Sequence, residues 1–267
     1  MIDIVCAETP TPGSRVHAGV SVGAGGSAVN AAKCAAAAGA EACVVGRIGN
    51  DPAGDLVRAT LAGSGIEAHL AQDPDLRTGA VVGLRGDEST SIIADRGANA
   101  RLSPEDVPDP LAGDAVLVSG FALLQSGSAD AARAALERFA GAWAAIDLAT
   151  PGLAAGADLD YLAKAANVLF ATAEEARAVT GAAPDEAARA LASRFSIVCV
   201  KLGEEGALAV HGGQVERHHP TPVVRRSPFG AGDAFAAAFL VSLARDDSLA
   251  QALQLACEAA ARTAGAA

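Results

Sequence analysis

The stretch "SPFGAGDAFAAAFL" puts one carboxylate, Asp233, directly behind a glycine pair and ahead of a long apolar run. Gly230 and Gly232 permit a tight turn whose successive N–H groups point one way, which makes an anion-binding nest. A helix beginning near Ala234 adds its N-terminal dipole to that nest. Such a cradle suits phosphate oxygens whose charge grows in a transition state. Asp233 itself has two readings. It is a favoured residue type for capping the helix, or it is a base that takes the proton of an attacking alcohol. Taken alone, the stretch favours the cap.

A second glycine cluster, "VGAGGSAVNAAKCAAAAGA", contains Gly23-x-Gly25-x-x-Ala28 and fits a relaxed dinucleotide fingerprint. That fingerprint asks for an acid about 20 residues further on, and Glu41 falls short of it. Asn30 lies on the first turns of the helix that follows, where its amide can reach a ligand hydroxyl. There is no GxxxxGK[ST] run, which excludes a P-loop nucleotide site. Cys6, Cys34, Cys43, Cys199 and Cys257 form no CxxC pair. They read as reduced thiols of a cytoplasmic protein. His218 and His219 lack a third ligand at metal spacing and read as exposed strand residues.

The elements that must hold these residues alternate. "ACVVGRIG", "AVLVSG", "WAAIDL", "NVLFA" and "SIVCVKLG" are apolar strands; "DPAGDLVRATLAGSG", "SADAARAALERFAGA", "LDYLAKA", "AEEARAVTG" and "APDEAARALASRF" are helices. The order predicts βαβ units and a mostly parallel sheet covered on both faces, a three-layer α/β/α fold. Two stretches depart from this rhythm. "SRVHAGVSV" and the hairpin "TGAVVGLRGDESTSIIAD", turning at "RGDE", predict a small antiparallel sheet at about 8–24 and 78–96, standing as a lid over the strand C-termini. The whole chain, 1–267, reads as a single domain.

The 267 residues are 51% hydrophobic and carry a net charge of -11. That supports a substantial core and argues against nucleic acid or an anionic membrane as the partner. The alanine-rich run after Gly26 is interrupted by Lys33 and Glu41, so it is not a membrane span.

Set side by side, "GGSAVNAAKCAAAAGAEACVVGRIGNDPAGD" and "GAGDAFAAAF" resemble the paired signatures of the ribokinase-like, phosphofructokinase-B-type carbohydrate kinase family. Between them, "RTGAVVGL" resembles the family's lid strand and "RGANARLSPEDV" its Gly-Ala-Asn segment. "VKLGEEGALAV" resembles its nucleotide loop. The resemblance implies a ribokinase-like fold and ATP- and Mg²⁺-dependent phosphorylation of a hydroxymethyl group on a sugar or polyol. It implies Asp233 as catalytic base and the backbone of Gly230, Ala231 and Gly232 as the anion hole. Asp3, Gly25, Gly26 and Asn30 would line the substrate pocket, with Asn99 helping to close the lid side. Lys201, Gly203, Gly206, Thr172 and Cys257 would lie on the nucleotide side, and Glu175 would help place Mg²⁺.

The departures are equally specific. The family's Asn-x-x-Glu stands here as Thr172-Ala-Glu-Glu175, which also reads as a helix capping box. Ser227 replaces an Asp of the family's monovalent-cation site, which argues against potassium activation. The family's first strand has no counterpart before Asp3, so either the start lies upstream or a core strand is absent. No aromatic residue precedes Phe121, which ranks a neutral sugar first, a sugar phosphate second and a nucleoside third. A lid edge also allows a homodimer by edge pairing. Two rivals remain: a weakly catalytic relative that binds sugar or nucleotide, and a dinucleotide oxidoreductase using Gly23 to Ala28.

Overall fold

The structure is a computed structural model that describes residues 1–86, 90–224, 227 and 229–266. In chain order it runs β1 (Ile2–Cys6), β2 (Val20–Ala24), α1 (Ser27–Ala37), β3 (Cys43–Gly49), α2 (Pro52–Gly63), β4 (Glu67–Asp73), β5 (Thr78–Arg85) and β6 (Thr90–Gly97). Then follow β7 (Ala115–Ser119), α3 (Gly120–Leu123), α4 (Ala129–Arg138), β8 (Trp143–Asp147), α5 (Pro151–Ala154), α6 (Leu159–Ala165), β9 (Val168–Thr172), α7 (Ala173–Thr180) and α8 (Pro184–Leu191). The chain closes with β10 (Ile197–Lys201), β11 (Ala207–His211), β12 (Gln214–His218), α9 (Ala231–Ala244) and α10 (Leu249–Gly265).

The main sheet has the order β12-β11-β10-β9-β8-β7. The four strands β7 to β10 are parallel, and β11 and β12 extend it as an antiparallel edge. Side-chain alternation makes this the middle of three layers. Leu169 and Ala171 of β9, with Val198 and Val200 of β10, face the layer that includes Leu136, Leu162, Ala176 and Leu191. Val168, Phe170, Ile197 and Cys199 face α9 and α10 through Phe235, Phe239 and Leu253. Phe170 meets Phe235 and Phe239 edge-on at centroid distances of 6.0 and 5.6 Å. Burial on both faces explains why these strands are continuously apolar.

The parallel pair β3–β4 forms a separate two-stranded piece with its own core of Val44, Ile48, Val57 and Leu61. Among the described residues, β3 and β7 are not paired with each other, although α1 packs against both. No strand from residues 1–24 joins them. β1 instead sits in the lid, in the order β2-β1-β5-β6, where Asp3 pairs with Gly23 on one side and Val81 on the other. The lid therefore begins at Ile2, while residues 7–19 contribute no strand. β5 and β6 make the expected antiparallel hairpin. Asp87 and Glu88 of its expected turn lie outside the described residues.

Several helices carry side-chain caps. Asp51 caps α2, accepting from Gly54 N at 2.8 Å, with Pro52 at the first helical position. Asp158 and Ser248 cap α6 and α10.

Candidate active site

α9 starts from Gly230, whose φ of 84° lies in the left-handed region that glycine enters without penalty. No side chain caps this helix. Asp233 stands inside its first turn and turns its carboxylate sideways, where Oδ2 accepts from Asn30 Nδ2 at 3.1 Å. The cap reading of Asp233 is therefore replaced by a tertiary one. Burial raises the Asp233 pKa, while donation from Asn30, the Lys201 charge and donation from Ser27 pull it down. The N–H groups of the α9 first turn lie beside this carboxylate, so an acid and free helix N-terminal donors share one turn.

Asn30 belongs to the first turns of α1 and faces two acids, since its Nδ2 also lies 3.5 Å from Asp3 Oδ2. Asp3 Oδ1 accepts from Gly26 N at 3.1 Å. A Cβ on Gly25 would come within 2.0 Å of the Asp3 carboxylate, so only glycine fits there. Desolvation raises the Asp3 pKa, opposed first by its hydrogen bond to Asn30. The lid strand β1 thus delivers Asp3 to the N-terminus of α1, and α1 delivers Asn30 to α9. This also disposes of the dinucleotide reading: a protein carboxylate occupies the N–H of Gly26 and the space over Gly25, where a pyrophosphate would need to sit.

The strand C-termini supply the other side. Lys201 ends β10 and Asp147 ends β8, with Nζ 2.6 Å from Asp147 Oδ1 and 2.9 Å from Oδ2. A Cβ on Gly232 would lie 3.4 Å from Lys201 Nζ, so this ammonium sits beside the first turn of α9. Thr172 ends β9 and caps α7. Its hydroxyl accepts from Glu175 N at 3.2 Å while Glu175 Oε2 accepts from Thr172 N at 2.8 Å. The capping box is therefore formed, and it fixes the buried Glu175 at the same edge. Gly203 and Gly206, with φ of 65° and 92°, bound the short turn between β10 and β11, closed by Leu202 N donating to Gly206 O at 2.8 Å.

Asp147 was not singled out in the sequence, where it reads as the polar end of an apolar strand. Burial pushes its pKa up to about 6 despite Lys201, and the nearby charges of Asp233 and Glu175 push the same way. Asp147 thus holds the ammonium directly, while Glu175 and Asp233 act on it through their charge. These carboxylates are hard oxygen donors of the kind Mg²⁺ takes, but among the described residues their oxygens do not converge on one point.

Two expected site residues lie elsewhere. Cys257 is 2% exposed in the core between α10 and the main sheet, its thiol 3.9 Å from His218 O and pushed up to about 12 by burial. It packs the interior and is not placed to line a nucleotide surface. Asn99 lies in the short turn after β6, and its Oδ1 accepts from Arg47 N at 3.3 Å. Its amide oxygen therefore fixes the end of β3, and no hydrogen bond joins it to Asp3, Asn30 or Asp233 among the described residues. Ser227 stitches the loop before α9 to α10, its N donating to Ala264 O at 3.0 Å.

The family model described as pfkB family carbohydrate kinase matches residues 1–266. Among characterised proteins, a fructokinase of Klebsiella pneumoniae is 31% identical over 82% of this chain and 76% of its own length. An ATP-dependent ribose-1-phosphate kinase of Halopiger xanaduensis is 32% identical over 90% of this chain and 80% of its own. Among solved structures, the adenosine kinase of Sinorhizobium meliloti superposes with a TM-score of 0.87 at 23% identity, covering 100% of this chain and 91% of that one. A Vibrio cholerae fructokinase with fructose, ADP and calcium bound superposes with a TM-score of 0.81 at 25% identity, covering 99% and 90%.

Proposed function

The chain belongs to the pfkB family of carbohydrate kinases, and from that premise we propose that it transfers the γ-phosphoryl group of ATP to a hydroxymethyl group of a neutral sugar or polyol. The observation that carries this reading is the shared first turn of α9. It holds Asp233 against Asn30 at 3.1 Å and opens the Gly230–Gly232 backbone beside it.

In the proposed reaction Asp3 and Asn30 orient the sugar hydroxyls. Asp233 takes the proton of the hydroxymethyl group as its oxygen bonds to the γ-phosphorus, and the bond from that phosphorus to the bridging oxygen of ADP breaks. The N–H groups of Gly230, Ala231 and Gly232 stabilise the charge on the transferring group. Lys201 contributes a positive charge, and the turn at Gly203 to Gly206 borders the nucleotide. Glu175, with Thr172 holding it, is the residue proposed to help hold Mg²⁺, which when bound would neutralise phosphate charge. The neutral sugar is preferred because the lid strands β1, β2, β5 and β6 contain no aromatic ring on which a base could stack.

Among the described residues no helix is long and apolar enough to cross a membrane, and the five free cysteines fit a reducing cytoplasm. Edge strand β2 exposes Val20 and Val22, at 62% and 56%, which supports pairing of two lids into a homodimer.

The test is ATP consumption with Mg²⁺ over a panel of sugars, polyols, sugar phosphates and nucleosides, with Asp233→Ala in parallel. Turnover with a neutral sugar, reduced at least ~10²-fold in the variant, is expected. A folded protein that binds ADP but phosphorylates no alcohol would instead be a sugar- or nucleotide-binding relative.

A further inference from the structure

We infer that Asp147 is a positioning residue for phosphoryl transfer: its carboxylate holds the Lys201 ammonium beside Gly232, at the first turn of α9. The inference rests on the kinase reading above and adds to it a residue and a division of labour among the acids.

The sheet register shows why the pair forms. Asp147 lies opposite Phe170 of β9, and Lys201 lies opposite Thr172 on the other side of the same strand. The lysine must therefore reach across the end of β9 to meet the acid, and it does so on both carboxylate oxygens. The two side chains are 14% and 15% exposed, so the pair is largely withdrawn from water. Removing an ammonium from water is costly unless an acid sits against it. Two hydrogen bonds leave one of the three ammonium donors for another acceptor. A Cβ built on Gly232 would lie 3.4 Å from Nζ, so the ammonium reaches the first turn of α9.

Three acids compete for this ammonium. Asp233 on α9 and Glu175 on α7 both act on Lys201 electrostatically, along with Asp147 on β8. Only Asp147 hydrogen-bonds it. That choice has a consequence for the base. If Lys201 paired with Asp233, it would occupy the carboxylate that must accept the alcohol proton and would leave the cradle without its cation. Asp147 prevents this by anchoring Lys201 from the far side of β9. Lys33 lies elsewhere in the site, its Nζ bound to Ala24 O and the Asp3 charge acting on it.

Asp147 acts through Lys201, so its removal has a signature that a merely structural ion pair lacks. ATP- and sugar-dependent turnover and direct ADP binding are measured for Asp147→Asn, Lys201→Met, the double variant and Asp147→Glu. Asp147→Asn and Lys201→Met are each expected to lower kcat by about 10²-fold, the scale of one lost charge-stabilising donor. The sugar KM should change less than twofold, and the ADP Kd should rise several-fold. The double variant should be no worse than Lys201→Met alone. Multiplied losses in the double variant, or wild-type kcat and ADP affinity in Asp147→Asn, overturn the inference. If Asp147→Asn does not fold, Asp147→Glu decides, because it retains the anchoring charge. Activity well above that of Lys201→Met supports the inference, and activity no better than Lys201→Met overturns it. Should the wild type phosphorylate no sugar, the kinase reading falls, while the ADP affinities still decide whether Asp147 and Lys201 act as one unit.

Discussion

Asn30 Nδ2 donates to Asp233 Oδ2 at 3.1 Å across 203 residues of sequence. The same amide nitrogen lies 3.5 Å from Asp3 Oδ2, so one neutral side chain separates the acid from the lid and the acid in the first turn of α9. The two carboxylates repel, and the Asp233 charge helps raise the affinity of Asp3 for a proton. An amide between them offers hydrogen bonds without adding charge. In the proposed reaction a sugar hydroxyl would enter this group with Asp3 as its acceptor on one side and Asp233 on the other.

Gly25→Ala tests whether the lid acid belongs to the substrate site. The new Cβ would overlap the Asp3 carboxylate at 2.0 Å, and the acid must swing away from Gly26 N and Asn30. The sugar KM is expected to rise by about tenfold or more, the scale of a lost hydrogen bond to a charged group. Initial rates over a range of sugar concentrations check this. An unchanged KM in a folded variant would remove Asp3 from the substrate pocket.

Much of this arrangement was readable because local signals and global fold agree. α6 covers the residues of "LDYLAKA", bounded by its Asp158 cap, and the apolar strands β7 to β10 fall where their runs predict. β4 escaped notice because Glu67, His69 and Gln72 interrupt a short alanine-containing segment that pairs only with β3. Asp147 escaped for a related reason. One acid at the end of "WAAIDL" looks like a solvated strand end, and its partner Lys201 is 54 residues away. Position at a strand C-terminus was the available signal. Cys257 misled in the other direction: the family resemblance implied a nucleotide-side position, whereas helix periodicity turns it into the α9–α10 core with Ala256 and Leu253.

Asp73→Asn should destabilise the fold in a pH-dependent way. Asp73 is fully buried and accepts from Leu76 N at 2.8 Å and Asp75 N at 3.0 Å, with Arg47 Nε at 3.0 Å. The Leu76 N–H above all, then Asp75, Arg47 and Arg101, hold its pKa down at about 2. A depressed carboxylate stabilises the native state above the unfolded pKa, about 3.9, and loses that contribution as pH falls toward 2. Asparagine keeps an acceptor but loses the charge facing Arg47 and Arg101. At pH 7 the variant's Tm should be lower by roughly 3–8 °C, and the gap should narrow steadily between pH 4 and 2. Thermal melts across that range decide it, and a gap independent of pH would refute the charge argument.

The acid limb of the rate profile should report the cluster at the strand C-termini. Both proposed roles need an ionised carboxylate: Asp233 to accept a proton and Asp147 to hold Lys201. Asp147 is pushed up to about 6 by burial, with Lys201 opposing and Asp233 and Glu175 reinforcing. Asp233 is also raised, its burial opposed by Asn30, Lys201 and Ser27. Rate therefore rises with pH as these groups lose their protons, and kcat/KM of the wild type should bend near pH 6. An isolated aspartate would bend it nearer 4. Asp147→Asn removes the group whose pKa is pushed up to about 6, along with a negative charge close to Asp233. Its residual activity should consequently bend at lower pH than the wild type. A profile measured from pH 4.5 to 8 checks both statements, and a limb that stays in place in Asp147→Asn would mean that Asp233 alone governs it.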